Sequence, residues 1–249
     1  MFNHSVPENW GICPTIHGIP TYSIFVALAL FAAIGLYFYN SRDSESLRSD
    51  EAIKVVIAAF IGGILGAKLP VVLLNLTQGW NGIETILAGR TIVGGMIGGL
   101  LSVILVKRHF KIRKRYGNVL APSVALAMAI GRIGCFLSGC CYGIPTNTTW
   151  GCDFGDSVLR YPTQLFEMTF CFVAFAILQL TFRKMRPGRA LSLYFLGYFI
   201  FRFCIEFIRV NPMYMALTVY QWISIAGIIF LVIKMKFNKK IVKQGENNE

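Results

Sequence analysis

Residues 131–143 read GRIGCFLSGCCYG. They follow an apolar run, residues 121–130, and the first charged side chain after that run is Arg132. A guanidinium at the end of an apolar segment is costly to bury, and is rarely placed there without a partner or a ligand. Gly131, Gly134 and Gly139 let the backbone approach something closely. Two adjacent cysteines, Cys140 and Cys141, come next. The stretch reads as the end of a membrane-spanning helix at the mouth of a lipid-handling site.

Composition agrees with a membrane chain. Hydrophobic residues make up 55% of the sequence and charged residues 14%, where a soluble domain carries about 25% charged. Mean hydropathy is +0.59. At 249 residues the chain suits one helical bundle rather than several domains. The net charge of +12 would suit nucleic acid, but the positive side chains sit in short loops between apolar spans, so no nucleic-acid partner is expected. Residues 1–20 contain no Lys or Arg and thus no basic n-region, so a cleavable signal peptide is not expected.

A spanning helix needs about 20 apolar residues. Seven stretches qualify: residues 21–39, 52–76, 91–106, 118–136, 162–182, 191–208 and 218–237. The third is short, and the second carries Lys68 and Pro70, where a break or kink is expected. Loops on the side of the C-terminus hold 18 of the 24 Lys and Arg, whereas the opposite side holds only Arg90, Arg160 and Arg209. This positive-inside asymmetry predicts an all-α polytopic protein of seven transmembrane helices, with the N-terminus outside and the C-terminus cytoplasmic. Residues 1–237 form a single bundle in this reading, and residues 238–249 a frayed polar tail.

Charged groups within the spans carry the functional argument. Arg202, Glu206 and Arg209 lie at spacings of 4 and 3, on one helical face. With Arg132 and Lys68 they suggest a mainly cationic pocket suited to an anionic headgroup, since arginine grips phosphate bidentately. Simple pairing of Arg202 with Glu206 to hold the bundle is the alternative. Arg132 has no acid close in sequence, which favours a ligand. Arg90, Arg132 and Arg209 fall toward the outer ends of their helices, so the site is expected to open to the outer leaflet.

In residues 161–167, YPTQLFE, Pro162 suits a first helical turn, and Gln164 and Glu167 share a face. Glu167 either pairs with an arginine or complements the helix dipole. Gly94, Gly95, Gly98 and Gly99 form overlapping small-xxx-small pairs, which read as close helix packing or as a backbone surface for a headgroup. Tyr22 reads as an interface anchor or as a ligand to a lipid phosphate.

Of seven cysteines, Cys171 and Cys204 lie inside spans as packing residues. Cys13, Cys140, Cys141 and Cys152 fall on the outer side, where Cys140 or Cys141 has Cys152 or Cys13 as a disulfide partner; a nucleophilic thiol near the arginines is the other reading. No His–Cys spacing fits a common zinc pattern, and no metal or cofactor is expected. The sequence contains no P-loop, GxSxG or HExxH motif. The three histidines, His4, His17 and His109, are scattered.

GRIGCFLSGCCYG, then YPTQLFE, then FRFCIEFIR (residues 201–209), in that order in a seven-span chain, resemble the bacterial prolipoprotein diacylglyceryl transferase family. The resemblance runs from about Ile19 to Ile229. It includes Tyr22, residues 66–69, the Gly-rich stretch at residues 94–99, and Gln221. It implies a plasma-membrane enzyme that takes the diacylglyceryl group from phosphatidylglycerol, places it on the lipobox cysteine thiol of a preprolipoprotein, and releases glycerol phosphate. It implies that Arg132 binds the lipid phosphate, that Arg202 is a second essential arginine with Glu206 as partner, and that Tyr22 lines the lipid site. Gly94, Gly95, Gly143, Gln164, Glu167 and Arg209 complete the expected lipid-binding set.

Four positions depart from the family pattern. Val93 stands where the family has His before Gly94-Gly95, and Cys135 stands where it has Asn after GRIG. Cys140 stands where it has Glu after Gly139, and Tyr161 where it has His. The cationic headgroup pocket is kept while acid–base groups are exchanged. Beside the transferase reading stand two others. One is a divergent lipid-dependent transferase with a different acceptor, using Cys135, Cys140 or Cys141; the other is a non-catalytic anionic-lipid-binding protein.

Overall fold

The computed structural model describes residues 10–42, 50–78, 92–112, 116–211 and 213–246. Arg48, Arg90, Arg113, Lys114, Arg115 and His4, used above, lie outside these residues. Among the described residues seven α-helices follow one another: α1 (Thr21–Ser41), α2 (Asp50–Gln78), α3 (Ile92–His109), α4 (Gly117–Leu137), α5 (Thr163–Thr181), α6 (Arg189–Ile205) and α7 (Val219–Glu246). The described residues also form three two-stranded antiparallel hairpins: β1 (Thr15–Ile16) with β2 (Ile19–Pro20) before α1, β3 (Cys152–Asp153) with β4 (Leu159–Arg160) between α4 and α5, and β5 (Met213–Tyr214) with β6 (Leu217–Thr218) between α6 and α7.

Among the described residues six segments are long and apolar enough to cross a membrane: Thr21–Ser41, Asp50–Leu69, Gly117–Leu137, Thr163–Lys184, Arg189–Ile208 and Val219–Lys236. The third predicted span is helical as α3, but it ends in Lys107, Arg108 and His109. That leaves about 22 Å of apolar helix at about 1.5 Å per residue, short of the roughly 30 Å hydrocarbon core. α2 runs unbroken through Lys68 and Pro70, so of the break or kink expected there the break is not formed; membrane-type helices absorb a proline when neighbouring groups satisfy the freed carbonyl. α7 continues to Glu246, so most of the polar end of the chain is helical.

The chain forms two compact units, residues 1–40 with 117–249, and residues 41–116. The second unit is a helix pair built on glycine. A Cβ on Gly66 would stand 2.3 Å from the Gly94 carbonyl oxygen, and one on Gly98 2.3 Å from that of Gly62. Gly95 faces the Gly63 carbonyl and Ala67 in the same way. The small-xxx-small pattern thus brings two backbones into contact. Ser102 adds a hydroxyl donated to the Ala58 carbonyl at 2.5 Å.

In the first unit, α4 is the central helix. Ala121, Ala125 and Ala129 recur every fourth residue and are fully buried, presenting a stripe narrow enough for close neighbours. Ala129 packs with Cys171 of α5 and Tyr198 of α6. At Gly134 a Cβ would lie 2.6 Å from Phe25 Cβ and 3.5 Å from Tyr22 Cα, so this glycine lets α1 approach. Asn40 and Gln179 exchange two amide hydrogen bonds, 3.0 and 2.8 Å. Asn118 ties the opposite end together: its Nδ2 donates to the Met185 and Arg186 carbonyls and its Oδ1 accepts from Ala190 N–H. It satisfies groups that the α5–α6 turn leaves open.

The other end is knitted by backbone. Trp10 Nε1 donates to the Gly139 carbonyl, Cys13 N–H to the Leu137 carbonyl, and Ile144 N–H to the Ile208 carbonyl. The end of α4, the start of α5 and the end of α6 therefore meet.

Candidate functional site

That end holds five buried charges. Glu167 sits one turn into α5 and is fully buried. Its Oε1 accepts from Arg132 Nη2 at 2.5 Å and from the Tyr198 hydroxyl at 2.6 Å. Its Oε2 lies 3.8 Å from both Arg202 Nη1 and Arg209 Nη1. Glu206, in a 3₁₀ turn that follows α6 (Glu206–Ile208), pairs with Arg202 at 3.0 Å and Arg209 at 3.9 Å. Its Oε1 accepts from Asn211 Nδ2 at 2.6 Å and Thr218 Oγ1 at 3.0 Å. The Arg202 guanidinium lies 4.8 Å from the Tyr220 ring centroid.

Three arginines against two glutamates leave a formal excess of one positive charge. Arg202 Nη1 and Arg209 Nε and Nη1 are buried without a hydrogen-bond partner, as are Glu167 Oε2 and Glu206 Oε2, which face them at 3.8–3.9 Å. A desolvated guanidinium donor left open is expensive, and a phosphate is the acceptor whose geometry matches it.

Arg132 has no acid close in sequence, but Glu167, 35 residues along the chain, is its partner, so the pairing of Glu167 with an arginine is the reading that holds. The dipole reading of Glu167 gives way to ion pairing, because helix packing brings the middle of α5's first two turns against α4. Tyr198, Asn211, Thr218 and Tyr220 belong to the cluster and were not singled out from sequence. Tyr198 is four residues before Arg202 and so shares its face, which is the signal that points to it.

The loop after α4 borders the cluster. Gly143 forms an antiparallel bridge with Arg209, and a Cβ there would stand 2.5 Å from the Ile208 carbonyl oxygen. Gln164 Nε2 donates to the Cys140 carbonyl and Thr163 Oγ1 to the Cys141 carbonyl, both at 2.7 Å; Gln164 Oε1 is buried without a partner. Cys135, Cys140 and Cys141 bring their sulfurs within 4.8 Å of one another. Arg132 Nη1 is 4.0 Å from Cys135 Sγ. The Cys135 and Cys140 thiols draw Cys141 well below the ordinary cysteine pKa, with Arg132 and Arg209 adding to the effect. All seven cysteines are free thiols. The disulfide expected between Cys140 or Cys141 and Cys152 or Cys13 is therefore not formed, because the two loop sulfurs turn toward Cys135 instead.

Cys152 lies apart in β3, and Tyr22 stands half-buried at the start of α1, its backbone beside Gly134. Lys68, Gly94 and Gly95 belong to the second unit, where both glycines pack against α2. Outside the cluster, Arg160 makes a two-pronged contact with Asp156 at 2.5 and 2.6 Å. Its guanidinium lies 5.0 Å from the Tyr142 ring centroid. The hydrogen bonds from Arg160 hold the Asp156 carboxyl below the usual range.

Residues 12–236 match the family model described as prolipoprotein diacylglyceryl transferase. Three similar proteins bear the name phosphatidylglycerol–prolipoprotein diacylglyceryl transferase. One, from Clostridium tetani, is 35% identical over 77% of this chain and 81% of its own length. One from Dehalococcoides mccartyi is 30% identical over 87% and 86%. The third, from Clostridium perfringens and numbered 2, is 30% identical over 89% and 91%.

Proposed function

The chain belongs to the prolipoprotein diacylglyceryl transferase family, and from that premise we propose that it moves the diacylglyceryl group of phosphatidylglycerol to the thiol of a lipobox cysteine, releasing glycerol phosphate. The observation that carries this is the buried arginine cluster with its one-charge excess and its open donors on Arg202 and Arg209. The phosphodiester of an anionic lipid neutralises that excess and takes those donors. As the carbon–oxygen bond to phosphate breaks, negative charge grows on the leaving group. Fixed guanidinium donors in a water-poor site stabilise that charge more than they stabilise the ground state. Glu167 and Glu206 hold the arginines in place, and Gly143, Gln164 and Tyr22 line the approach of the lipid.

In this reading α3 is a seventh span, the N-terminus is outside and the C-terminus cytoplasmic. Residues 1–237 are the membrane part and residues 238–249 the cytoplasmic end. The cluster then opens to the outer leaflet of a bacterial plasma membrane. The 18-to-3 division of basic residues and the position of the cluster at the start of α5 and end of α6 support this.

The test is mass spectrometry of a lipobox-cysteine peptide incubated with purified protein and phosphatidylglycerol, beside Arg132→Ala and Arg202→Lys. A diacylglyceryl mass gain that both variants lose is the expected result; Lys keeps the charge but not the two-pronged donor geometry. No gain in folded protein that retains phosphatidylglycerol overturns the proposed acceptor.

A further inference from the structure

The three sulfurs at the end of α4 have no part in binding the phosphate, yet the chain is built to gather them. Cys135 lies in the last turn of α4. Gly139 and Cys141 both adopt φ of +65°, a left-handed conformation costly for a residue with a side chain. Adjacent residues in extended chain point to opposite faces; the left-handed turn is what allows Cys140 and Cys141 both to face Cys135. The carbonyls of Cys140 and Cys141 are pinned by buried Gln164 and Thr163, so the turn is held from behind. Tetrahedral zinc with sulfur ligands at about 2.3 Å spaces those sulfurs by about 3.8 Å, a contraction of no more than about 1 Å from the 4.8 Å limit seen here.

Charge agrees with this. Three thiolates around Zn²⁺ carry one net negative charge, and the nearest cation to them is the Arg132 guanidinium, 4.0 Å from Cys135 Sγ. Arg132 stands next to Cys135 Sγ, where it stabilises a thiolate. Three protein ligands leave a fourth position open, the pattern of a zinc that takes part in chemistry rather than one that only holds a fold.

We propose that Cys135, Cys140 and Cys141 bind one zinc ion whose fourth position takes the acceptor cysteine as its thiolate. This rests on the diacylglyceryl-transfer reading and supplies that reading with an activated acceptor thiolate. On binding zinc the acceptor thiol gives its proton to water. Its sulfur lone pair then forms the bond to the glyceryl carbon. The bond from that carbon to the phosphate oxygen breaks, and its electron pair leaves with glycerol phosphate. The product thioether is a weaker ligand than a thiolate and departs.

The experiment uses the full-length protein in detergent. Zinc per chain is measured by elemental analysis, and Co²⁺ is titrated in while the sulfur-to-cobalt charge-transfer band is followed. One metal per chain and a tetrahedral cobalt–thiolate spectrum are expected. Cys135→Ser, Cys140→Ser and Cys141→Ser each weaken binding by about 100-fold or more, while Cys204→Ser, exposed elsewhere on α6, changes nothing. Adding lipobox-cysteine peptide to the cobalt form raises the band by about a third, from three thiolates to four. No metal uptake by wild-type protein, or a disulfide among the three cysteines in its place, overturns the site even where diacylglyceryl transfer is active. Metal uptake without a spectral response to peptide overturns the acceptor role. A metal-bound peptide thiolate with no lipid product upholds the site and overturns the transfer reading instead.

Discussion

Glu167→Gln tests the charge cluster most directly, because glutamine is nearly the same shape. Its Oε1 can still accept from Arg132 and Tyr198, at 2.5 and 2.6 Å in the native protein, so what is removed is charge. A hydrogen bond to a charged group contributes about 1.5–3 kcal/mol and a neutral one about 1; the Arg132 contact keeps its charged donor, so weakening the Tyr198 contact costs about 1 kcal/mol. The cluster's net charge also rises from +1 to +2, with Arg202 and Arg209 losing an opposite charge 3.8 Å away. Breaking a buried pair by removing one partner costs about 3–5 kcal/mol, and the two figures are compatible once the stranded arginines are included. For a chain of this size that is a fall of about 6–20 °C in melting temperature, read by thermal denaturation in a neutral detergent. Phosphatidylglycerol is expected to recover more of the loss in the variant than it adds to wild type, because its phosphate replaces the missing negative charge; a neutral phospholipid is expected to do less. A variant within about 0.5 kcal/mol of wild type, indifferent to the lipid's charge, would refute the idea that this is a desolvated, cation-rich site.

Tyr198→Phe removes one hydroxyl donor from the Glu167 carboxylate, and a loss of about 1.5–3 kcal/mol is expected in the same melting assay. Gly143→Ala drives a methyl to 2.5 Å from the Ile208 carbonyl, where backbone must shift; a loss of about 1–3 kcal/mol and reduced phosphatidylglycerol retention are expected. Gly98→Ala meets the Gly62 carbonyl at 2.3 Å and is expected to destabilise the second unit by a similar amount, seen as faster hydrogen exchange in α2 and α3. Asp156 has a depressed folded-state pKa, so its contribution is present above the unfolded value of about 3.8 and lost as pH falls through the folded value. The stability difference between wild type and Asp156→Asn is therefore expected to be constant near neutrality and to vanish under strongly acidic conditions.

Residue-level patterning made much of this site readable. Arg202, Glu206 and Arg209 share a face because 3.6-residue periodicity demands it, although the helix tightens to a 3₁₀ turn at Glu206. The motif Thr218-Val219-Tyr220-Gln221 is a capping box: Gln221 Oε1 accepts from Thr218 N–H, and Thr218 Oγ1 accepts from Gln221 N–H. That box fixes Thr218 where its hydroxyl reaches Glu206, so a local start signal doubles as a site-building device. Pairing of Glu167 with an arginine was readable, but that the partner is Arg132, and that Asn211 joins the cluster, were not, since both depend on how loops and helices distant in sequence are brought together. The break predicted at Pro70 shows the converse. Propensity in water overstates the effect of a proline where the surrounding medium leaves a helix no competing hydrogen-bond partner.

The cysteines mark where spacing stops being informative. Cys135, Cys140 and Cys141 match no common zinc spacing because those patterns describe ligands presented by a regular turn or a helix face. Here one ligand ends a helix and two follow a left-handed reversal, so convergence is created by backbone conformation that a spacing rule does not encode. Of Val93, Cys135, Cys140 and Tyr161, the four positions read from sequence as departures from the family resemblance, two belong to one thiol cluster. In the proposed reading the arginines and their carboxylate partners hold the phosphate, and the thiols activate the acceptor. Phosphate binding relies on fixed positive charge, which the Arg132, Arg202 and Arg209 cluster provides without proton transfer. Acceptor activation relies on removing a proton, and that is where one chemistry can replace another without disturbing the rest of the site.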